Sequence, residues 1–312
     1  MLVGVARKSQ PQSGTTTEGA PEFLLPSGAR AIGMGQAAVA LPTGAEAVWW
    51  NPALLARAAR EASFHFAQTI ATEGDYTLSV LIPVQYAGAF AITARYIDYG
   101  VQQVTGKTDP NETGVFSSST SILGASFATS FGRRLSTGLM YKVLAQRFQC
   151  TGTCLSTPHS APATFALDLG AQYTLRKDTS LWLGAAVRNL GLPLQVHDAP
   201  QADPLPRRAE VGIAFSPTFR QLPADARVRG AFDIVTRLDG GGPGYRVGGE
   251  LSWQEKIQLR AGYVYEGPTG TNGSFGLGYR ASKVQFDFAQ LIGDAGSGSG
   301  QSLSFISIRY GF

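Results

Sequence analysis

Arg95, Lys142, Asp168, Arg188, Arg229, Asp233, Arg246, Glu250, Arg260, Glu266, Asp287 and Arg309 each fall on the polar side of a stretch in which polar and apolar residues alternate. Arg95 and Thr93 alternate with Phe90, Ile92, Ala94 and Tyr96; Arg260 and Glu266 alternate with Ile257, Leu259, Tyr263 and Tyr265. Charges of both signs on one face of successive strands have two uses. They pair with one another and lock an inserted segment, or they line a polar conduit. An ion-selective conduit needs one sign to dominate, and none does here, which favours the lock.

Other groups that could do chemistry lead less far. Gly33-Met34-Gly35-Gln36-Ala37-Ala38 satisfies the letters of a dinucleotide fingerprint. That motif works only between a strand and a helix of a βαβ unit, and neither flanks it. Cys150 and Cys154 stand in QCTGTC, a spacing that suits neither CxxC redox chemistry nor a zinc knuckle. A small loop disulfide in an oxidising compartment is the reading that remains. His65, His159 and His197 are scattered, so no metal site is expected. No GxSxG is present, and no Ser, His and acid group together. Neither enzyme nor cofactor is expected.

The elements that must carry these residues are strands. Charged residues make up 15% of the 312, against about 25% in a typical soluble domain. Apolar residues make up 44%, yet no run of about 18 of them exists to form a spanning helix. A spanning strand needs no such run, because alternate residues face lipid. The net charge of +4 comes without a basic patch interleaved with aromatics, so nucleic acid is not an expected partner.

From about Ala62 the period is two, and about fourteen segments of ~9–12 residues follow, each long enough to cross a bilayer when tilted. Their connections alternate in length. Those at 98–118, 149–163, 191–206, 237–244 and 292–301 are long; those at 85–86, 132–134, 176–178, 254–256 and 281–282 are tight; 216–226 breaks the rule. Long outer loops and short periplasmic turns are the habit of outer-membrane barrels. The first long connection carries Val101, Val104, Val115 and Phe116. The chain finishes SFISIRYGF, with Tyr310 and Phe312 on one face of the last strand. Such an ending looks like the signal read by the barrel assembly machinery. The expected fold is an all-β transmembrane antiparallel barrel of about fourteen strands over residues 58–312. It would sit in outer-membrane lipid with both termini periplasmic.

Before it lies one stretch of another character. Residues 23–57 are flexible at Gly28, Gly33 and Gly35, then apolar, then closed by Trp49-Trp50-Asn51-Pro52-Ala53. Ala45-Glu46-Ala47-Val48 suits a short helix, and Asn51-Pro52 caps another with Pro at its first position. A small plug inside the barrel is expected there. Residues 1–22 read as a disordered leader, whose apolar start is too short for a signal h-region of ~7–15 residues. The true signal is then expected upstream, or already trimmed.

Gly28-Ala29-Arg30-Ala31, Gly33-Met34-Gly35, Ala37, Val39-Ala40, Ala47, Trp50-Asn51-Pro52-Ala53 and Leu55 resemble the PorV/PorQ family, itself similar to FadL-type outer-membrane barrels. VRNLG at 187–191, LPRRAEVGIAF at 205–215, GGEL at 248–251 and LRAGY at 259–263 extend the resemblance over nearly the whole chain. It implies fourteen strands and an N-terminal hatch carrying Asn51, Pro52 and Ala53. Two functions are implied. PorV-like members bind secreted cargo and other proteins of type IX secretion; FadL-like members pass hydrophobic molecules inward and out sideways through the wall. The second would show an apolar pocket at the hatch and a wall gap, for which Pro83 and Pro217 are the candidates.

Overall fold

The computed structural model describes residues 18–41, 44–68, 72–105, 113–152, 163–175, 180–194, 202–219, 223, 225–266, 271–293 and 302–312. Fourteen strands form one closed antiparallel barrel. They are β1 Glu61–Gln68, β2 Gly74–Val84, β3 Gly88–Thr105, β4 Thr113–Phe131, β5 Leu135–Gly152, β6 Ala163–Thr174 and β7 Leu181–Gly191, then β8 Arg208–Phe215, β9 Ala226–Arg237, β10 Gly244–Trp253, β11 Ile257–Tyr265, β12 Thr271–Ala281, β13 Val284–Gly293 and β14 Leu303–Gly311. Each strand pairs with its sequence neighbours, and β1 closes on β14 from Glu61↔Gly311 to Gln68↔Ser304. No edge is left unpaired, which is the condition for a sheet to stand in lipid.

Alternation decides which side is which. In β10 the exposure pattern is strictly periodic, with Tyr245, Val247, Leu251 and Trp253 outward and Arg246, Glu250 and Ser252 inward. The same inversion holds around the barrel: Ile92, Leu123, Leu139, Leu183, Val211, Leu259, Leu277 and Ile306 are all exposed, while Arg95, Lys142 and Asp233 are buried. A soluble protein puts the apolar side inward; here it faces out on every strand, as a lipid-facing wall requires. Tyr76, Tyr96, Phe165, Tyr245 and Tyr265 ring one end of this apolar band, and Tyr173, Phe215, Trp253, Tyr279 and Tyr310 ring the other. Tyr245 and Trp253 are eight residues apart, which at about 3.4 Å per residue and a tilt of about 40° puts the belts about 20 Å apart. Among the described residues no helix is long and apolar enough to cross a membrane.

Several expectations are corrected. β3, β4 and β5 run 18, 19 and 18 residues, not ~9–12. Val101, Val104, Val115 and Phe116 therefore lie on strands that continue past the apolar band, not in a loop; Phe116 stacks on Phe148 at 6.2 Å. β-Branched and aromatic residues kept the ladder going where Asp, Gly and Ser suggested a loop. Residues 18–22, assigned to the leader, are ordered: Pro21–Leu24 form a 3-10 turn with Glu22 and Phe23 buried. His65 is buried within β1, with Nδ1 3.1 Å from the Ser307 hydroxyl. The ladder runs unbroken past Pro83, which stays opposite Ala89. Cys154, His159, His197, the connection at 176–178 and residues 1–17 lie outside the described residues. Cys150 lies in β5, two residues before its end.

Candidate functional site

Residues 18–41 and 44–57 occupy the lumen. Glu18 lies at the end of the long connections, bound to Arg208 at 2.7 Å, and Arg57 reaches the opposite end, donating to the Gly132 carbonyl at 3.3 Å in a short turn. The described chain thus enters the barrel at one end and leaves at the other, where Phe312 also lies. Between these points it makes a five-residue helix, Ala29–Gly33, and 3-10 turns at Gly44–Trp49 and Pro52–Arg57. Short segments suit a lumen with no room for long ones. Gly28 at φ +92° and Gly35 at φ +61° supply the left-handed backbone that reverses the chain around the helix.

Inward-facing glycines on the wall admit this segment. A Cβ on Gly184 would lie 2.2 Å from the Val39 carbonyl oxygen, one on Gly248 2.1 Å from that of Met34, and one on Gly262 2.0 Å from the Gly35 nitrogen. Hatch backbone and wall backbone therefore touch directly. Polar side chains then satisfy the hatch's own groups: Ser307 accepts from Ala29 N–H at 2.9 Å, Ser274 from Gly35 N–H at 3.1 Å, and Asp233 from Val39 N–H at 2.9 Å. Asn51, with a fully buried side chain, does three jobs. Its Oδ1 accepts from Ala53 N–H at 3.0 Å and caps the last 3-10 turn; its Nδ2 donates to the carbonyls of Val39 at 2.7 Å and Ala171 at 3.0 Å. Pro52 takes the first position of that turn, and Ala53 the next, both buried. The indole N–H of Trp50 donates to the Ser27 carbonyl at 2.9 Å.

The charged residues meet in pairs and clusters around this plug. Arg95 binds Asp75, with Nε 2.8 Å from Oδ1, and donates to the Leu25 carbonyl of the hatch at 2.9 Å. Lys142 donates to Asp168 and Asn189, both at 2.6 Å, and lies 4.7 Å from the centre of the Phe23 ring. Arg188 binds Glu210 and donates to the Trp49 carbonyl at 2.8 Å. Glu250 takes Arg30 of the hatch at 3.0 Å, Arg260 at 2.8 Å and Arg229 at 2.5 Å. Asp287 takes Arg260 at 2.7 Å and Arg309 at 2.9 Å. Arg246 and Glu266 meet at 3.1 Å nearer the mouth, where Glu266 is half exposed.

Partners not anticipated from sequence are Glu22, Asp75, Asn189, Glu210, Ser274 and Ser307. Asp75, Glu210 and Ser307 stand at inward positions of the same alternation; Glu22 and Asn189 carry no such signal. Asn189 sits at φ +64°, beside a register shift between Leu167 and Leu169.

Glu46 is the exception within the plug. It is 2% exposed, and neither carboxylate oxygen has a hydrogen-bond partner. Burial pushes its carboxyl up to about 7; the nearby Arg309 charge and the Ser307 hydroxyl oppose the shift.

Among the described residues, two cavities beside the hatch share no lining residue. The larger, 670 Å³, opens toward the long connections beside Phe23, Leu25, Trp49, Trp50, Leu291 and Phe305. Its cations Arg188, Arg208, Arg237 and Arg246 each hold an acid. The smaller, 210 Å³, faces the short turns beside Arg30, Arg229, Glu250, Arg260 and Arg309. Tyr310 and Phe312 stack at 6.1 Å on the outer face.

A closed barrel of fourteen antiparallel strands, its lumen filled by the chain's own N-terminal segment, is the FadL-type architecture. The Ralstonia pickettii toluene transporter TbuX superposes with a TM-score of 0.61 at 15% identity, over 91% of this chain and 98% of that one. The Pseudomonas putida toluene transporter TodX gives 0.62 at 13%, over 90% and 96%. The monoaromatic hydrocarbon channel CymD gives 0.57 at 12%, over 92% and 97%. At such identities the likeness is one of fold, and it reaches the FadL type, not the PorV/PorQ family in particular. No family model matches the chain, and no curated relative matches it in sequence.

Proposed function

We propose that this chain is an outer-membrane channel that admits small hydrophobic molecules passively. The observation that carries the reading is the 670 Å³ cavity above the hatch. Its volume lies within the range of about 300–1,000 Å³ typical of small-molecule sites. Phe23, Trp49, Trp50 and Phe305 give it apolar surface, and its arginines are already engaged by Glu18, Glu210 and Glu266. An uncharged apolar guest fits such a wall better than an ion. The fold shared with the toluene transporters TbuX and TodX supports the same reading.

In this reading the long connections face outside, the short turns face the periplasm, and the hatch holds the lumen shut to water-soluble traffic. The β6–β7 irregularity at Leu167/Leu169 is where a guest would leave sideways. Tyr310 and Phe312 serve assembly into outer-membrane lipid. Binding is testable by fluorescence. Trp49 and Trp50 line the cavity while Trp182 and Trp253 do not, so a W182F/W253F barrel reports on the cavity alone. Toluene should quench or shift its emission saturably, and Trp50→Phe should remove much of the change. A linear, non-saturating response would contradict the reading.

A second reading is a protein-binding role in type IX secretion or related surface-protein export. Its support is the PorV/PorQ-like hatch motif and the extended β3–β5 strands with their Phe116–Phe148 stack. The structural relatives favour transport. Cross-linking in native membranes separates the two: recovery of secreted proteins sharing a C-terminal domain would shift the assignment to export.

A further inference from the structure

The short-turn rim carries charge that the hatch lock does not use. Arg60, Arg133, Arg134, Lys256, Arg280 and Lys283 are exposed there, placed before β1, in the β4–β5 and β10–β11 turns, and on either side of the β12–β13 turn. The exposed acids beside them, among the described residues, are Asp225 and Glu255, and Glu255 is held by Arg227 at 2.8 Å. The opposite rim differs: Glu73 and Arg147 are both exposed, Glu266 is held by Arg246 at 3.1 Å, and Arg208 and Arg237 turn onto Glu18. Among the described residues the barrel is therefore polarised, with unpaired basic side chains gathered at the short-turn rim.

The height of these cations says what they meet. Arg280 directly follows Tyr279 of the aromatic belt, and the Lys256 N–H closes its turn on the Trp253 carbonyl at 2.9 Å. The Arg60 guanidinium lies 5.6 Å from the centre of the Phe312 ring, and Arg134 donates to the Tyr173 hydroxyl at 3.4 Å. Tyr and Trp belts mark the boundary between acyl chains and head groups. Cations one to three residues beyond that boundary stand at the depth of lipid phosphates, interleaved with rings that hold the glycerol level.

We propose that this rim is a collar for anionic phospholipid head groups, whose phosphodiesters are held by Arg133, Arg134, Lys256 and Lys283 around the barrel. A zwitterionic lipid offers the same phosphate but cancels it with its own amine, so a basic rim discriminates between the two. The collar would also fix the barrel's depth and its orientation in the membrane. The proposal rests on the membrane-barrel reading above.

The test uses the full chain inserted in phosphatidylcholine bilayers, with spin-labelled phosphatidylglycerol or phosphatidylcholine as the probe. Boundary association of phosphatidylglycerol should exceed that of phosphatidylcholine by at least about threefold at low salt. The preference should fall toward unity at about 1 M salt, where the Debye length is about 3 Å. R133Q/R134Q/K256Q/K283Q should lose most of the preference, and R147Q at the other rim should leave it intact. Equal association at low salt, or a preference surviving the four substitutions, would overturn the collar. Should the quadruple variant not fold, photolabelling of the native barrel with a phosphatidylglycerol analogue decides. Label on turns 132–134, 254–256 and 282–283 supports the collar, and label confined to the opposite rim overturns it. A chain that fails to insert at all sinks the membrane reading first, and the collar with it.

Discussion

Lys142 is 1% exposed, held between Asp168 and Asn189 and resting on the ring of Phe23. A buried ion pair adds little net stability, but removing one partner leaves the other charge uncompensated. Asp168→Ala should therefore cost about 3–5 kcal/mol, read as a lower heat-modifiability midpoint on gels. Lys142→Met combined with Asp168→Leu should recover much of that loss. An Asp168→Ala barrel as stable as the wild type would mean that water reaches Lys142.

Glu46 makes the opposite kind of prediction, because its burden is a charge with no hydrogen bonds. Its carboxyl holds its proton more tightly in the fold, at about 7, than the ordinary 4.5 of the unfolded chain. The folded hatch is then most favoured below the lower value, loses stability as pH rises through this window, and levels off above about 7. Protease protection of the hatch should fall between about pH 5 and about pH 8. Glu46→Gln should flatten the profile and be the more protected form at the alkaline end. A steeper fall in the Gln variant would contradict the assignment.

At the scale of elements, wall and hatch are fitted through backbone. Gly262 faces Gly35, and Gly248 faces Met34, at distances that leave no room for a Cβ. Gly262→Val should push residues 33–35 off the wall and raise the ion conductance of the barrel in planar bilayers. Ala261→Val, one residue away on the outer face, should leave conductance unchanged. Equal conductance in both variants would mean that the hatch does not seal the lumen at this point.

These contacts also mark what the sequence does and does not reveal. Strand alternation fixes the inward side, and so places Arg95, Glu250 and Asp287 inside the barrel. It does not say who pairs with whom, because Glu250 gathers Arg30 from 220 residues earlier in the chain as well as its neighbours Arg229 and Arg260. Partnerships across strands depend on register, which single strands do not carry. The glycines at 184, 248 and 262 read as weak spots in strands until the hatch is seen against them. The extension of β3–β5 was hidden for a different reason: Gly100, at φ +74°, belongs to a bulge between Asp98 and Val101 that shifts the register and lets the strand continue.

For the whole molecule, the proposed passage of hydrophobic molecules rests on a lipid-facing apolar band, two aromatic belts, a tied hatch and a chamber on one side of it that is aromatic in part and whose arginines are paired. The most direct measurement is flux. Proteoliposomes carrying the barrel should take up labelled toluene faster than empty vesicles while staying tight to a polar sugar of similar size, and Gly262→Val should make them leak the sugar. Sugar passing as readily as toluene through the wild-type barrel, or toluene entering no faster than into empty vesicles, would contradict a hydrophobic channel.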